Sequence, residues 1–333
     1  MSHQFDLVTV GPITMDFHAT SGGADFAADH MFRASVGGAA ATIALGATTL
    51  GLRTLAFGAL GDDPLGDLAL RDLRNRGVAT EAVVRKPGLR TSVGIRGAPS
   101  PDGGVRVSYS DHSPDEALTE DDLLTIPLDQ IQAILFSGSA FASATAASAS
   151  LNAASSARKA QLISFLDLDL DANRWESLAD YGVAMRAALS RVDIAIGTET
   201  ELIAALMPNP DGVLASGSIP SEAREELFER MEAQLEQGML AIAMTRGRQG
   251  ATVIRSGDLI DVPGFPVSVV AALGAGEAFA AGLIRTLLRG HDWWDSARYA
   301  NACGALAVSR GGGAATFPTG KDVEKFVSSR GGW

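Results

Sequence analysis

The amino-acid sequence predicts an α/β fold: a doubly wound, mostly parallel sheet flanked by helices, with a small antiparallel β flap attached. Apolar runs of strand length alternate with segments of helical period along most of the 333 residues, the pattern of parallel strands joined by crossover helices. One region breaks the alternation, because three strand-like runs follow one another between Thr80 and Asp111 with turn residues and no helix between them. Hydrophobic residues make up 46% of the chain and charged residues 20%, which suits a large core and excludes a disordered or collagenous chain. A single domain over 1–333 is expected, with the flap drawn from about 12–36 and 80–112.

In chain order, "FDLVTVG" reads as the first strand, "VGGAAATIALGATTLG" as a helix and "TLAFGALG" as a strand. "PLGDLALRDLRNRG" is a helix with Pro64 near its start and Gly77 as its stop. "TEAVVRK", "TSVGIRGAP" and "GVRVSYSD" are the consecutive flap strands, with a Pro-Asp-Gly-Gly turn at 101–104 before the last. "AILFSGS", "LISFLDLD", "DIAIG" and "LAIAMTRG" are short, apolar and flanked by helical segments, as central strands are. The low-complexity run from Ser143 is rich in alanine, the strongest helix former, and reads as a packed helix.

Several function classes are disfavoured. A formal net charge of −12 repels nucleic acid and anionic membrane. The five histidines, His3, His18, His30, His112 and His291, never take the paired helical spacing of a zinc enzyme, so no built-in transition-metal site is expected. Cys303 is the only cysteine and lies in an apolar helical run, where it reads as a core residue in a reducing compartment. Gly-x-Ser-x-Gly and Walker A patterns are both missing. With no apolar run of membrane-spanning length and no basic leader, a cytoplasmic location is expected.

The stretch "ALGAGEAFAAGLI", 272–284, carries the chemistry. Gly274, Ala275 and Gly276 open an apolar helix, where unpaired amides and the positive end of the helix dipole suit an anion. Glu277 follows immediately. Taken alone, it is explained as a first-turn acid that stabilises the dipole by about 0.3–1 kcal/mol.

The order of motifs resembles the ribokinase-like (PfkB) sugar kinases from Val8 to about Phe317. "GPITMD" at 11–16, "VGGAA" with Gly37 and Gly38, "GALGDDPLG" at 58–66, "TRGRQG" at 245–250 and the Gly-Ala-Gly helix start occur in that family's order. The C-terminal "GAGEAFAAGLIRTLLRGHDWWDSARYANACGALAVSRGG", together with "SFLDLDLDANRW", is similar to the 5-dehydro-2-deoxygluconokinase branch. The resemblance implies ATP-dependent phosphoryl transfer, with Mg2+ on the nucleotide, to a hydroxyl of a sugar or sugar acid. It puts Glu277 where family members have an aspartate that takes the proton of the attacking hydroxyl, with the amides of Gly274, Ala275 and Gly276 around the transferred group.

Further roles are implied by the same resemblance. Asp16, Gly37, Gly38 and Thr42 fall at sugar-binding positions. Thr198, Thr245, Arg246, Gly247, Asn301 and Ala305 fall at nucleotide-binding positions, and Glu201 at a magnesium position. Arg174, and the flap arginines Arg96 and Arg106, are candidates for the carboxylate of a sugar acid. Four polar positions depart from the family pattern: Glu277 for aspartate, Thr42 for asparagine, Thr198 for the first residue of Asn-x-x-Glu, and Ala271 for a polar residue. Two readings therefore stay open, a carbohydrate kinase and a non-catalytic pseudokinase descendant that keeps the ligand cleft. A homodimer formed through the exposed edges of the flap is a further expectation.

Overall fold

The computed structural model describes residues 3–20, 31–98, 100, 105–215, 219–311 and 313–332. The first half of the chain runs β1 (Phe5–Val10), β2 (Thr14–Ala19), β3 (Phe32–Gly37), α1 (Ala39–Thr49), β4 (Thr54–Phe57), β5 (Ala59–Gly61), α2 (Pro64–Asn75), β6 (Val84–Lys86), β7 (Val93–Arg96) and β8 (Arg106–Tyr109). It continues through α3 (Glu120–Leu123), β9 (Ile131–Ser137), α4 (Ala144–Lys159), β10 (Ile163–Asp167), α5 (Leu178–Leu189), β11 (Ile194–Thr198), α6 (Glu199–Leu206), α7 (Pro210–Leu214) and α8 (Ser221–Glu236). The remainder is β12 (Ala241–Thr245), β13 (Gly250–Arg255), β14 (Asp258–Pro263), α9 (Ala275–Leu288), α10 (Trp293–Ser309) and α11 (Gly320–Ser328).

Eight strands form the main sheet in the order β14-β13-β12-β11-β10-β9-β1-β4. All neighbours from β12 to β4 are parallel, and β13 and β14 add an antiparallel edge. Successive residues on a strand point to opposite faces, so each strand feeds two cores. On β9, Ala133 and Leu135 join the cluster under α1, α9, α10 and α11, while Ile134 and Phe136 join the one under α4, α5, α6 and α8. Fully buried strands need apolar residues on both faces, which is why these segments read as continuous apolar runs.

The strand order reverses at β1, which lies between β9 and β4. In open parallel sheets such a reversal leaves a crevice at the carboxyl ends of the strands. Here the chain leaves that end of β1 and immediately builds the flap, a four-stranded sheet in the order β3-β2-β7-β8. Its β2–β3 and β7–β8 pairs are antiparallel, as expected, and a parallel β2–β7 pair joins them. One expected flap strand lies elsewhere: Val84–Lys86 pairs in parallel with β5, and the Val84 amide donates to the Gly58 carbonyl just before that strand. The 101–104 turn lies outside the described residues. No helix among the described residues is long and apolar enough to cross a membrane.

The helix boundaries follow local chemistry. Asp63 caps α2 by accepting from the Gly66 amide at 2.8 Å, with Pro64 in the first turn, and Ser143 caps the alanine-rich α4. The flap joins α1 at Gly38, with φ +88°, where a Cβ would lie 2.2 Å from the Pro12 carbonyl oxygen. Only glycine satisfies both demands. Gly38→Ala is expected to lower stability by about 1–3 kcal/mol, read as a lower denaturation midpoint; an unchanged midpoint would mean that this junction relaxes freely.

Candidate active site

A cavity of about 430 Å³ lies between the flap and the carboxyl ends of the main-sheet strands. The flap's alternation supplies its roof. Asp16, His18, Arg33, Ser35, Arg96, Arg106 and Ser108 face the cavity, whereas Met15 on the opposite face packs into the core.

Asp16 anchors this roof. Its Oδ1 accepts from Thr14 Oγ1 at 2.8 Å and its Oδ2 from Arg96 Nε at 3.1 Å. A Cβ on Gly37 would lie 2.4 Å from the Asp16 carboxyl carbon, and one on Gly94 would lie 2.6 Å from Oδ1. Gly37 is thus required by the Asp16 carboxylate, a reason not visible in the sequence, where it is assigned to close approach of a sugar.

The floor is made by two helix starts. Gly38 precedes α1 and Gly274, in the left-handed region at φ 83°, precedes α9, and neither helix has a side-chain cap. Uncapped first-turn amides are donors awaiting an acceptor. Gly38, Thr42, Ala271, Gly274 and Glu277 line the cavity; Ala275 and Gly276 lie just behind Gly274 and do not. Enclosure lifts the Glu277 carboxyl above its ordinary value, and nearby Glu201 adds to the rise, while its own amide, Arg96 and Arg106 offset part of it.

Sequence reasoning missed a group of acids that the fold gathers around Glu277. Asp167 ends β10, and burial followed by repulsion from Asp169, Glu201 and Glu277 holds its carboxyl well above the usual range. Asp169 lines the cavity in the left-handed region at φ 38°. Burial pushes its carboxyl up to about 6; hydrogen bonds from Ser137 and Ser139 oppose the shift, and Glu201 and Glu277 add to it. Ser137 Oγ donates to Asp169 Oδ2 at 2.6 Å. The one signal available beforehand was the acid alternation in "LDLDLD", which marks both residues but not which way they turn.

The three arginines considered for a carboxylate all line the cavity, and each holds an acid of the protein itself. Arg96 pairs with Asp16, Arg106 with Asp171 at 3.0 Å, and Arg174 with Asp115 at 2.7 Å. The last pair is almost fully buried, with side chains 5% and 4% exposed, so Arg174 is fixed against Asp115 in the cavity wall.

The residues assigned to nucleotide sit outside this cavity. Thr198 and Thr245 are register partners at the carboxyl ends of β11 and β12. Thr198 and Glu201 close a capping box on each other: Thr198 N and Oγ1 donate to Glu201 Oε2 at 2.6 and 2.9 Å, and Glu201 Oε1 accepts from Leu170 N at 3.1 Å. Arg246 pairs with Asp261 at 2.9 Å, and Gly247, at φ 55°, opens a short turn. Asn301 donates to the Val262 and Pro263 carbonyls at 3.1 and 3.3 Å, and Ala305 packs partly buried against the core.

The arrangement offers an acid with a raised pKa beside uncapped amides, with hydroxyl and carboxylate groups opposite. Relatives of known name fit it. A 5-dehydro-2-deoxygluconokinase of Clostridium perfringens is 24% identical over 326 residues, 97% of this chain and 93% of that protein. One from Bacillus licheniformis is 26% identical over 329 residues, 98% of this chain and 97% of that protein. Among solved structures, an E. coli protein described as a ribokinase II, in complex with ATP and Mg2+, superposes with a TM-score of 0.81 at 22% identity, covering 99% of this chain and 100% of that one. Matched over residues 4–320, the chain belongs to the pfkB family of carbohydrate kinases.

Proposed function

We propose that this protein transfers the γ-phosphoryl group of ATP to a hydroxyl of a sugar or sugar acid, of which a 5-dehydro-2-deoxygluconate-like acid is the leading candidate. The observation that carries the proposal is Glu277, a carboxyl lifted by enclosure and set in the uncapped first turn of α9, facing the hydroxyl-binding groups of the flap across one cavity. Asp16, Ser35 and Ser108 would hold sugar hydroxyls. The ionised Glu277 would then accept the proton of the attacking hydroxyl, and the α9 amides would stabilise charge on the transferred group. ATP would lie along the Thr198, Thr245, Arg246 and Gly247 strand ends.

Magnesium fits as an ion carried on the nucleotide. Among the described residues no cluster of three or more ligands forms a protein cage, and Mg2+ is commonly held by substrate phosphates with one or two carboxylates. Burial, with added repulsion from neighbouring acids, raises the carboxyls of Asp167, Asp169 and Glu277, so this side of the site favours a divalent charge. Glu201 is the carboxylate for that role, and the ion would neutralise phosphate charge.

A second reading keeps its own support. Both oxygens of Glu201 already accept hydrogen bonds from the protein, and Thr198 caps a helix. A chain that had lost catalysis would keep the cleft as a ligand sensor. The flap also supports a homodimer: Phe32 and Tyr109 are 43% and 64% exposed on its outer face, and β3 and β8 are its open edges.

Four outcomes test these proposals. Millimolar Mg-ATP or ADP is expected to raise the denaturation midpoint; no shift and no heat of binding would remove the kinase reading and leave the sensor. Glu277→Gln is expected to lower turnover by about 10²- to 10⁴-fold with nucleotide affinity kept. In the same assay kcat/KM is expected to fall on acidification with a midpoint above the ordinary 4.5 of a glutamate, because protonation removes the base. Equal turnover by both forms would return Glu277 to a partner for the helix dipole. Sedimentation is expected to give a dimer that Tyr109→Asp dissociates; a monomer at micromolar concentration would exclude the flap interface.

A further inference from the structure

We propose that Arg310 is a phosphate-binding residue, which exchanges Asp322 for the phosphoryl group being transferred at the start of α9. The proposal rests on the kinase reading for the identity of that group.

Backbone bonds bring Arg310 to this place. It ends α10, and the chain beside it is stitched to the segment that leads into α9. The amides of Val270 and Ala271 donate to the Val308 carbonyl at 2.9 and 3.2 Å, and the Gly313 amide donates to the Leu273 carbonyl at 3.0 Å. A Cβ on Gly274 would lie 3.0 Å from the Gly313 nitrogen. Arg310, Gly311 and Gly313 therefore line the same cavity as Leu273, Gly274 and Glu277. The uncapped α9 amides and the Arg310 side chain share it.

The other cations of the cavity are committed elsewhere. Asp16, Asp169, Asp171 and Glu277 line it, against Arg33, Arg96, Arg106, Arg174 and Arg310, while burial lowers the pKa of His18. Arg96 and Arg106 are matched by Asp16 and Asp171, and Arg174 by the buried Asp115. Arg33 lies on β3, an edge strand of the flap. Asp169 and Glu277 remain, so a phosphoryl group arriving at α9 meets two acids and needs a cation from the body of the protein. Among the described residues of the cavity, Arg310 is the arginine whose partner can release it.

Arg310 Nη1 meets Asp322 Oδ2 at 3.2 Å, with side chains 39% and 36% exposed, and exposed ion pairs add little to stability. Asp322 Oδ2 also accepts from Thr319 N at 2.9 Å and Thr319 Oγ1 at 2.8 Å, in the capping box of α11. Arg310, followed by these two donors, holds the Asp322 carboxyl down to about 2. When the arginine leaves, Asp322 keeps its cap. Arg96 and Arg106, rather than Arg310, pull the Glu277 carboxyl down, which agrees with a guanidinium turned towards Asp322.

In the transfer, the acceptor oxygen bonds to the γ-phosphorus as the bond from that phosphorus to the β,γ-bridging oxygen breaks. The acceptor's proton goes to Glu277, and the bonding pair stays on the bridging oxygen of ADP. A guanidinium fork beside the amides can hold the phosphoryl oxygens bidentately while this charge moves.

Calorimetry with Mg-ADP alone, and with aluminium fluoride added in place of the transferred group, tests the role without turnover. In the native protein the fluoride is expected to tighten ADP binding at least about tenfold. Arg310→Gln is expected to erase that gain while binding of ADP alone stays within about twofold, and Arg310→Lys to restore part of it. Asp322→Asn keeps an oxygen for the α11 cap and is expected to retain the gain. A pair that only ties α10 to α11 would instead make Arg310→Gln and Asp322→Asn alike. No ADP binding, no fluoride gain in the native protein, a gain that survives Arg310→Gln, or equal losses in the two variants would each overturn the proposal. An ADP-release assay separates it from the kinase reading. Where a sugar is phosphorylated, Arg310→Gln is expected to lower kcat by about 10²- to 10³-fold with the KM for ATP nearly unchanged; an unchanged kcat removes the arginine and leaves the kinase. A fluoride gain that depends on Arg310, with no sugar turned over, removes the kinase and keeps the arginine.

Discussion

The Asp16–Arg96 ion pair at the root of the flap is the contact on which the site depends. Asp16 is 7% exposed and Arg96 19%, so neither charge has enough water to stand alone, and a buried pair broken on one side costs about 3–5 kcal/mol. The pair joins β2 to β7, the only parallel pairing in the flap among the described residues, and so ties its two antiparallel pairs into one sheet. Gly37 and Gly94 follow from it, since either Cβ would occupy the space of the carboxylate. The polar roof over the strand ends is the result.

The floor has the opposite imbalance. Asp167 ends β10, Asp169 lies in the loop after it, and Glu201 and Glu277 sit in the first turns of two helices; enclosure raises the pKa of Asp167, Asp169 and Glu277. For Asp169, whose folded pKa of about 6 exceeds the ordinary 3.8, the folded state binds protons more readily than the unfolded chain. Its contribution to stability is therefore greatest below 3.8, declines as pH rises towards 6, and stays low above it. A site that is stable only at some cost when fully ionised is poised for a cation, and the flap arginines supply part of that charge from above.

The departures from the family pattern take on physical meaning in this frame. Glu277 has one more methylene than aspartate, and burial raises its carboxyl while Arg96 and Arg106 pull it down and Glu201 pushes it up. Thr198 keeps the cap that an asparagine would also provide, so the helix start survives while the side chain available to a hydrated ion changes. Ala271 is buried and apolar on the cavity wall, which removes a polar contact without opening a void.

The order of strands and helices, the start of α2 at Pro64, the glycine start of α9 and the family were legible in the sequence, because each rests on local periodicity or on short motifs whose geometry the backbone dictates. The central strands fell where apolar runs had put them. Three things were not legible. Val84–Lys86 left the flap because strand pairing is a non-local choice that no run of residues encodes. Arg174 turned from a carboxylate candidate into a strut because its partner, Asp115, lies 59 residues away. A row of Arg33, His18, Arg96 and Arg106 on the cavity face of the flap spans four strands and exists only through register. Sequence by itself determined which groups could act; the tertiary structure alone decided which of them face one another, since charge acts across a few ångströms of space, whatever the separation along the chain.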